Sequence, residues 1–290
     1  MFNFSASKSR WRRAVATVAT VAVLAMLVAA FWLDRQFEEP GAVEVASLLK
    51  HFDSQSVMAV LAHPDDEIQI AGVLADAGMR REAESWTLTL TRGEAAVTQM
   101  PISGPGHLAR IRTGELHKFG ALLGLDEQAV LDYPDGGLRN AQPDSILNDV
   151  VRHIRRWKPE IIVTFDAATG LTLHPDHMVA GDAARKAFYL AGDASYEPSI
   201  GVAHQPGILV VVLAPRRMLR RFGGDVGQKI SKRQAVPQYA IEVSARLKVQ
   251  GWAIHQSQRH VIREVFGVPP QLLYWFWDKE HYAIVEDATS

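Results

Sequence analysis

The chain contains no cysteine, which excludes disulfides and thiolate metal sites. It contains no His-Glu-x-x-His, no Gly-x-Ser-x-Gly and no phosphate loop, so three common catalytic signatures are missing. It also lacks a basic excess. The formal net charge is −1, and the only charges ahead of Asp34 are Lys8, Arg10, Arg12 and Arg13. Without those four, 27 basic residues face 32 acidic ones. Nucleic acid is therefore not an expected partner, because phosphate backbones require a basic footprint. Repeats and low-complexity tracts are absent too, and the 48% apolar content is that of a globular protein.

One long hydrophobic run is present. Ala14 to Leu33 is free of charge and is broken only by Thr17 and Thr20. Twenty helical residues rise about 30 Å, enough to cross the hydrocarbon core of a bilayer. Basic residues precede the run, whereas Asp34, Glu38 and Glu39 outweigh Arg35 after it. The positive-inside rule then predicts a cytoplasmic basic tail (1–13) and a transmembrane anchor (14–33) in the inner membrane. A linker (34–55) and an exported, periplasmic domain (56–290) follow. A cleaved signal peptide is the rival reading, with Val28-Ala29-Ala30 as a possible cleavage site.

The remainder alternates between two periodicities. Val57–Ala62, Trp86–Thr91, Ala129–Asp132, Ile161–Phe165, Ile208–Leu213 and Tyr239–Val243 read as strands, the first as a continuous apolar run buried on both faces and the fourth as the next buried strand. Helical spacing fills 68–79, 111–123, 143–157, 176–190 and 244–260. Strands alternating with helices predict an α/β fold with a mostly parallel sheet and right-handed crossovers. Ligands of such sheets bind beyond the carboxyl ends of the strands.

Two turns lie at such ends: His63-Pro64-Asp65-Asp66-Glu67 and His174-Pro175-Asp176-His177. Hydrolytic zinc commonly takes three nitrogen or oxygen ligands and leaves one position to water. His63, Asp66 and His177 can supply such a set. Zn2+ is the expected cofactor, with Fe2+ or Co2+ as other candidates. A carboxylate beside the ligands, Asp65, can accept a proton from the attacking water and pass it to a leaving amine. His174 can steady the oxyanion, while Glu67 and Asp176 are placed to orient ligand imidazoles.

In these turns, and in Thr91-Arg92-Gly93-Glu94, Arg112-x-x-Glu115, Pro134-Asp135-Gly136 and His255-x-Ser257-Gln258, the chain resembles the PIG-L or LmbE-like family of zinc-dependent de-N-acetylases over roughly 57–260. The resemblance implies a Rossmann-like, three-layer α/β/α fold. It also implies hydrolysis of an acetamide on an N-acetylated amino sugar: an N-acetylglucosaminyl glycolipid, an envelope glycan or a conjugate. Arg112 and Asp135 match positions that hold sugar hydroxyls in relatives, although Arg112 could instead pair with Glu115 or Glu82. His255 would support the floor of the site. The chain departs from the family in Gly170-Leu171-Thr172-Leu173, where many relatives have a tyrosine beside the glycine. An apolar wall there favours a substrate with an apolar aglycone. Other readings are an amidase on a larger acyl or amino-acid conjugate, and a non-catalytic glycan- or lipid-binding protein. Two further features are Arg216 to Arg233, a basic stretch suited to anionic headgroups, and Tyr274-Trp275-Phe276-Trp277, expected as a closing strand.

Overall fold

The computed structural model describes residues 4–79 and 83–289; Glu82 and the first three residues of the basic tail lie outside them. One sheet of eight strands forms the centre: β1 (Val43–Glu44), β2 (Ser56–Leu61), β3 (Glu84–Thr91), β4 (Glu127–Tyr133), β5 (Ile161–Phe165), β6 (Ile208–Leu213), β7 (Tyr239–Glu242) and β8 (Lys279–Asp287). Their order across the sheet is β1-β7-β8-β6-β5-β2-β3-β4. All pairings are parallel except β6–β8 and β7–β8. This is the mostly parallel α/β architecture that the alternation predicts. From β2 the chain builds outward through β3 and β4, then returns to place β5 on the other side of β2. The loops after β2 and β5 therefore diverge from neighbouring strands and leave a crevice at the switch point.

Burial explains the central strands. Every residue of β2, β5 and β6 is buried, as continuous Val/Ile/Leu runs require when helices cover both faces. Helices Ala71–Gly78, Pro105–Leu123, Pro143–Trp157 and Pro175–Leu190 provide that cover. The long 68–79 segment opens as a 3₁₀ turn, Asp66–Ile70, before Ala71–Gly78. The 244–260 segment divides into Ala245–Ile254 and Arg259–Phe266.

Two expectations are corrected. The aromatic cluster is helical, Pro270–Phe276, with Pro270 at its first turn. Leu273, Tyr274 and Trp277 are buried while Trp275 is 74% exposed, a spacing of three to four rather than two. The closing strand is β8 instead, inserted antiparallel between β6 and β7. Second, residues 34–55 do not behave as a free linker. Phe37, Leu48 and Leu49 join the core, Glu39 binds Arg216, and β1 pairs with β7.

The N-terminal helix runs from Phe4 to Phe37, and its apolar part, Trp11–Phe37, is long enough to cross a membrane by length and composition. None of that span is buried against the domain apart from its last turns.

His281 on β8 is fully buried, and neither ring nitrogen has a hydrogen-bond partner. Burial, only partly opposed by Glu39 and Glu38, pushes the imidazole down to about 4. The unfolded chain therefore binds this proton at a higher pH than the native one. Stability is intact above about pH 6.5 and is lost as pH falls toward 4, by about 3 kcal/mol from this group. Urea unfolding of wild type and His281→Leu at pH 7 and pH 4 checks this. The wild type should lose more stability between the two pH values, by about that amount.

Candidate metal centre and active-site cleft

The loops leaving β2 and β5 bring both histidine turns together. His63 Nδ1 lies 3.2 Å from His177 Nε2, and Asp66 lies 3.1 Å from His177 Nε2 and 3.7 Å from His63 Nδ1. The outer face of the His177 ring fixes its tautomer. His177 Nδ1 is 2.8 Å from the Gly170 carbonyl, so that nitrogen carries the hydrogen and Nε2 presents its lone pair. His63 Nε2 lies 3.1 Å from Asp135 Oδ1 and 3.5 Å from Asp176 Oδ2. Two imidazole nitrogens thus face each other beside a carboxylate, in residues 7% and 9% exposed. A cation between them, a proton or a metal, satisfies that arrangement, and two nitrogens with one oxygen fit a divalent metal. The surrounding carboxylates favour positive charge here. Burial alone would lower His63, yet Asp135, Asp176 and Asp66 carry it up to about 10, so without a metal the ring holds a proton that a bound cation would displace. Burial would raise Asp66, but His177, His63 and the His63 backbone amide hold it well below the ordinary carboxylate range.

Local chain geometry puts these groups in place. Asp66 Oδ2 accepts from the amides of Ala62 and His63, which closes the turn onto the end of β2. Asp65 has φ 109°, a left-handed conformation that Asp tolerates better than most residues. Its amide donates to Glu67 Oε2 at 2.9 Å. Glu67 also binds His255 Nε2 at 2.6 Å, both residues being fully buried. Glu67 therefore orients the Asp65 turn rather than a ligand imidazole, and His255 lies beneath it as floor. His174 caps the following helix: its Nδ1 accepts from the Asp176 amide, leaving Nε2 to carry the proton of the neutral ring. Burial and the neighbouring His177 and His63 keep His174 neutral by lowering its pKa. Its ring stands 4.8 Å from that of His63, edge to face.

Arg112 and Asp135 both line the cleft and also bond within the protein. Arg112 is 3% exposed, donates to the carbonyls of Gly93 and Pro64, and lies 3.1 Å from Asp65 Oδ1. Glu115 is not its partner, because Glu115 accepts from the Ser257 amide and hydroxyl. Gly93 is required here: it has φ +68°, and a Cβ would stand 2.1 Å from the Arg112 guanidinium. Asp135 reaches His63 and accepts from the Ala95 amide, while Glu94 accepts from the Asp135 amide. Asp176 accepts from the amides of Gly136 and Leu138, so one carboxylate ties the Pro134 turn to the second histidine turn.

These groups floor a cleft of about 730 Å³. Sequence reasoning found one edge of its apolar arm, Leu171, and missed the rest, Met218, Leu219, Phe222, Trp252 and Phe266. The only sequence signal is the leucine-rich loop before His174; the other residues meet through folding alone.

Residues 58–188 match the PIG-L family, described as GlcNAc-PI de-N-acetylase. A 1D-myo-inositol 2-acetamido-2-deoxy-alpha-D-glucopyranoside deacetylase of Kineococcus radiotolerans is 29% identical over 226 residues, covering 67% of this chain and 61% of the relative. A second deacetylase of that description, from Frankia casuarinae, is 31% identical over 175 residues, covering 52% of this chain and 55% of the relative. The chain thus spans less than two thirds of the length of these curated relatives. The solved N,N'-diacetylchitobiose deacetylase from Pyrococcus horikoshii shares the fold, with a TM-score of 0.65 at 18% identity, over 82% of this chain and 86% of that one.

Proposed function

We propose that this chain, whose residues 58–188 match the PIG-L family and whose fold is LmbE-like, is a metal-dependent hydrolase that removes acetate from an N-acetylated amino sugar. The observation that carries this reading is the convergence of His63 Nδ1, His177 Nε2 and the Asp66 carboxylate, with Asp65 next in sequence. His63, Asp66 and His177 would hold Zn2+, with Fe2+ or Co2+ suited to the same donors. A bound divalent cation supplies a Lewis acid that makes water a nucleophile near neutral pH. Asp65 takes the proton of the attacking water and returns it to the leaving amine. His174 donates from Nε2 to the carbonyl oxygen as it gains charge. Arg112 acts through Asp65 by fixing its carboxylate, and Asp135 acts through His63.

The apolar arm of the cleft favours an amino sugar carried on an apolar aglycone, such as a glycolipid, over a free sugar. A general base kept beside a complete ligand set speaks against a non-catalytic binding protein. Acetate release measured across N-acetylglucosamine glycolipids and oligosaccharides tests the activity. Release from none of them, in metal-loaded protein, removes the reading.

The helix Trp11–Phe37 is read as a single-pass anchor with a cytoplasmic N-terminus and a domain on the far side of the inner membrane. Removal of residues 1–33 keeps Phe37 and Glu39, which pack onto the domain, and should release an active protein into the soluble fraction. Sedimentation of that variant with membranes would contradict the anchor as the sole attachment.

A further inference from the structure

The basic stretch after Pro215 is not one surface. Arg216 is consumed by Glu39, through its guanidinium and its amide. Lys229, Lys232 and Arg233 belong to the next helix, Gly224–Arg233. Arg217, Arg220 and Arg221 remain, at i, i+3 and i+4 of the helix Arg216–Phe222, and so share one face. With Gln36 they line a shallow, open pocket of about 290 Å³. Among the described residues none of the three pairs with a carboxylate. Arg217 donates to the Arg35 carbonyl, Arg220 to Ser231 Oγ, and Arg221 lies 5.4 Å over the Trp32 ring. Phe222 packs edge-on against the same ring at 6.3 Å.

The position of this pocket identifies its ligand. Trp32 closes the apolar run, at the level where tryptophans sit between hydrocarbon and headgroups. Three guanidiniums without counter-charges at that level match phosphate oxygens in charge and geometry. We propose that this pocket binds a phosphate group, that of an anionic phospholipid headgroup. The helix Arg216–Phe222 then bridges two cavities: its arginines hold the headgroup, and its Met218, Leu219 and Phe222 line the active-site cleft. An occupied headgroup site fixes that wall of the cleft against the membrane. The proposal rests on the anchor reading for its lipid source and is independent of the hydrolytic chemistry.

The test is native mass spectrometry of the full chain in detergent micelles, titrated with phosphatidylglycerol or phosphatidylcholine; neither lipid carries an amino sugar. One phosphatidylglycerol should bind with a preference of about tenfold or more over phosphatidylcholine, given three cations at the surface. Arg217→Gln/Arg220→Gln/Arg221→Gln should abolish the preference. Lys229→Gln/Lys232→Gln/Arg233→Gln, the same charge change one helix on, should keep it. Should the first triple variant fail to fold, Arg221→Gln alone should weaken binding by about fivefold. Equal binding of the two lipids, or equal loss in both triple variants, overturns the proposal. Inorganic phosphate separates the sources: displacement of the lipid by millimolar phosphate assigns the site to free phosphate, and resistance assigns it to the headgroup. Carbonate extraction of the wild-type chain from membranes would remove the anchor reading, and phosphate titration would then decide the pocket alone.

Discussion

Asp65→Asn should lower the rate of acetate release by about 10²- to 10⁴-fold while leaving the bound metal in place. The substitution keeps shape, and asparagine accepts the left-handed backbone that Asp65 adopts at φ 109°. Arg112 loses one ionic contact but retains the carbonyls of Gly93 and Pro64, so the fold should survive. What disappears is the carboxylate beside the ligand set that is held by an arginine rather than by the imidazoles. Burial, opposed by Arg112, raises Asp65 to about 6. A base works only when deprotonated, so kcat/KM of the wild type should climb as pH rises through about 6. Zinc content by atomic emission and acetate release on the same sample check the result. Wild-type turnover in Asp65→Asn would remove the assigned base, and loss of metal would make the residue a ligand.

His177→Ala should lose the metal altogether. Three donors converge within 3.1–3.7 Å of one another, and removing one leaves His63 and Asp66 as the remaining pair. The ring is held from behind by the Gly170 carbonyl and stacks on Phe165 with centroids 4.1 Å apart. Replacing it therefore also opens a void against β5, costing about 2 kcal/mol or more of stability. Turnover should fall to background, and added zinc should not restore it. His177→Gln separates the two effects, because it fills more of the void yet lacks the imidazole. A stoichiometric metal content in either variant would overturn the ligand assignment.

The legible part of this structure is the part governed by local chemistry. β6 is an uninterrupted apolar run and β5 is broken only by Thr164, and their ends fall where the sequence places them. The histidine turns are legible for the same reason: proline bars helix at the preceding residue, and the strand before it fixes the side of the sheet. β8 was not legible. It carries Lys279, Glu280, Glu286 and Asp287, and Glu280 is buried because Lys248 and the Gly72 amide meet it from afar, with Tyr282 beside it on the strand. The aromatic cluster misled because four bulky residues in a row fit either period, and only packing against Phe37 and Phe266 decides between them. Residues 34–55 look like a tether, with Pro40-Gly41 and scattered charge, but three apolar side chains dock them. The contacts of Arg112 and Asp135 escape a sequence reading altogether. Each depends on segments 19 or more residues distant in the chain arriving at one point in space.

The place of β8 carries a consequence for biosynthesis. The block from β2 to β6 can zip together as it emerges beyond the membrane, since each member finds a neighbour already made. β7 and β1 cannot, because β8, the final member in chain order, is what joins them to that block. Until then β6 presents a bare, wholly apolar edge, the kind of template that recruits stray chains. A nascent chain stalled short of Lys279 is thus a sticky intermediate, and a quality-control chaperone would meet it first along β6.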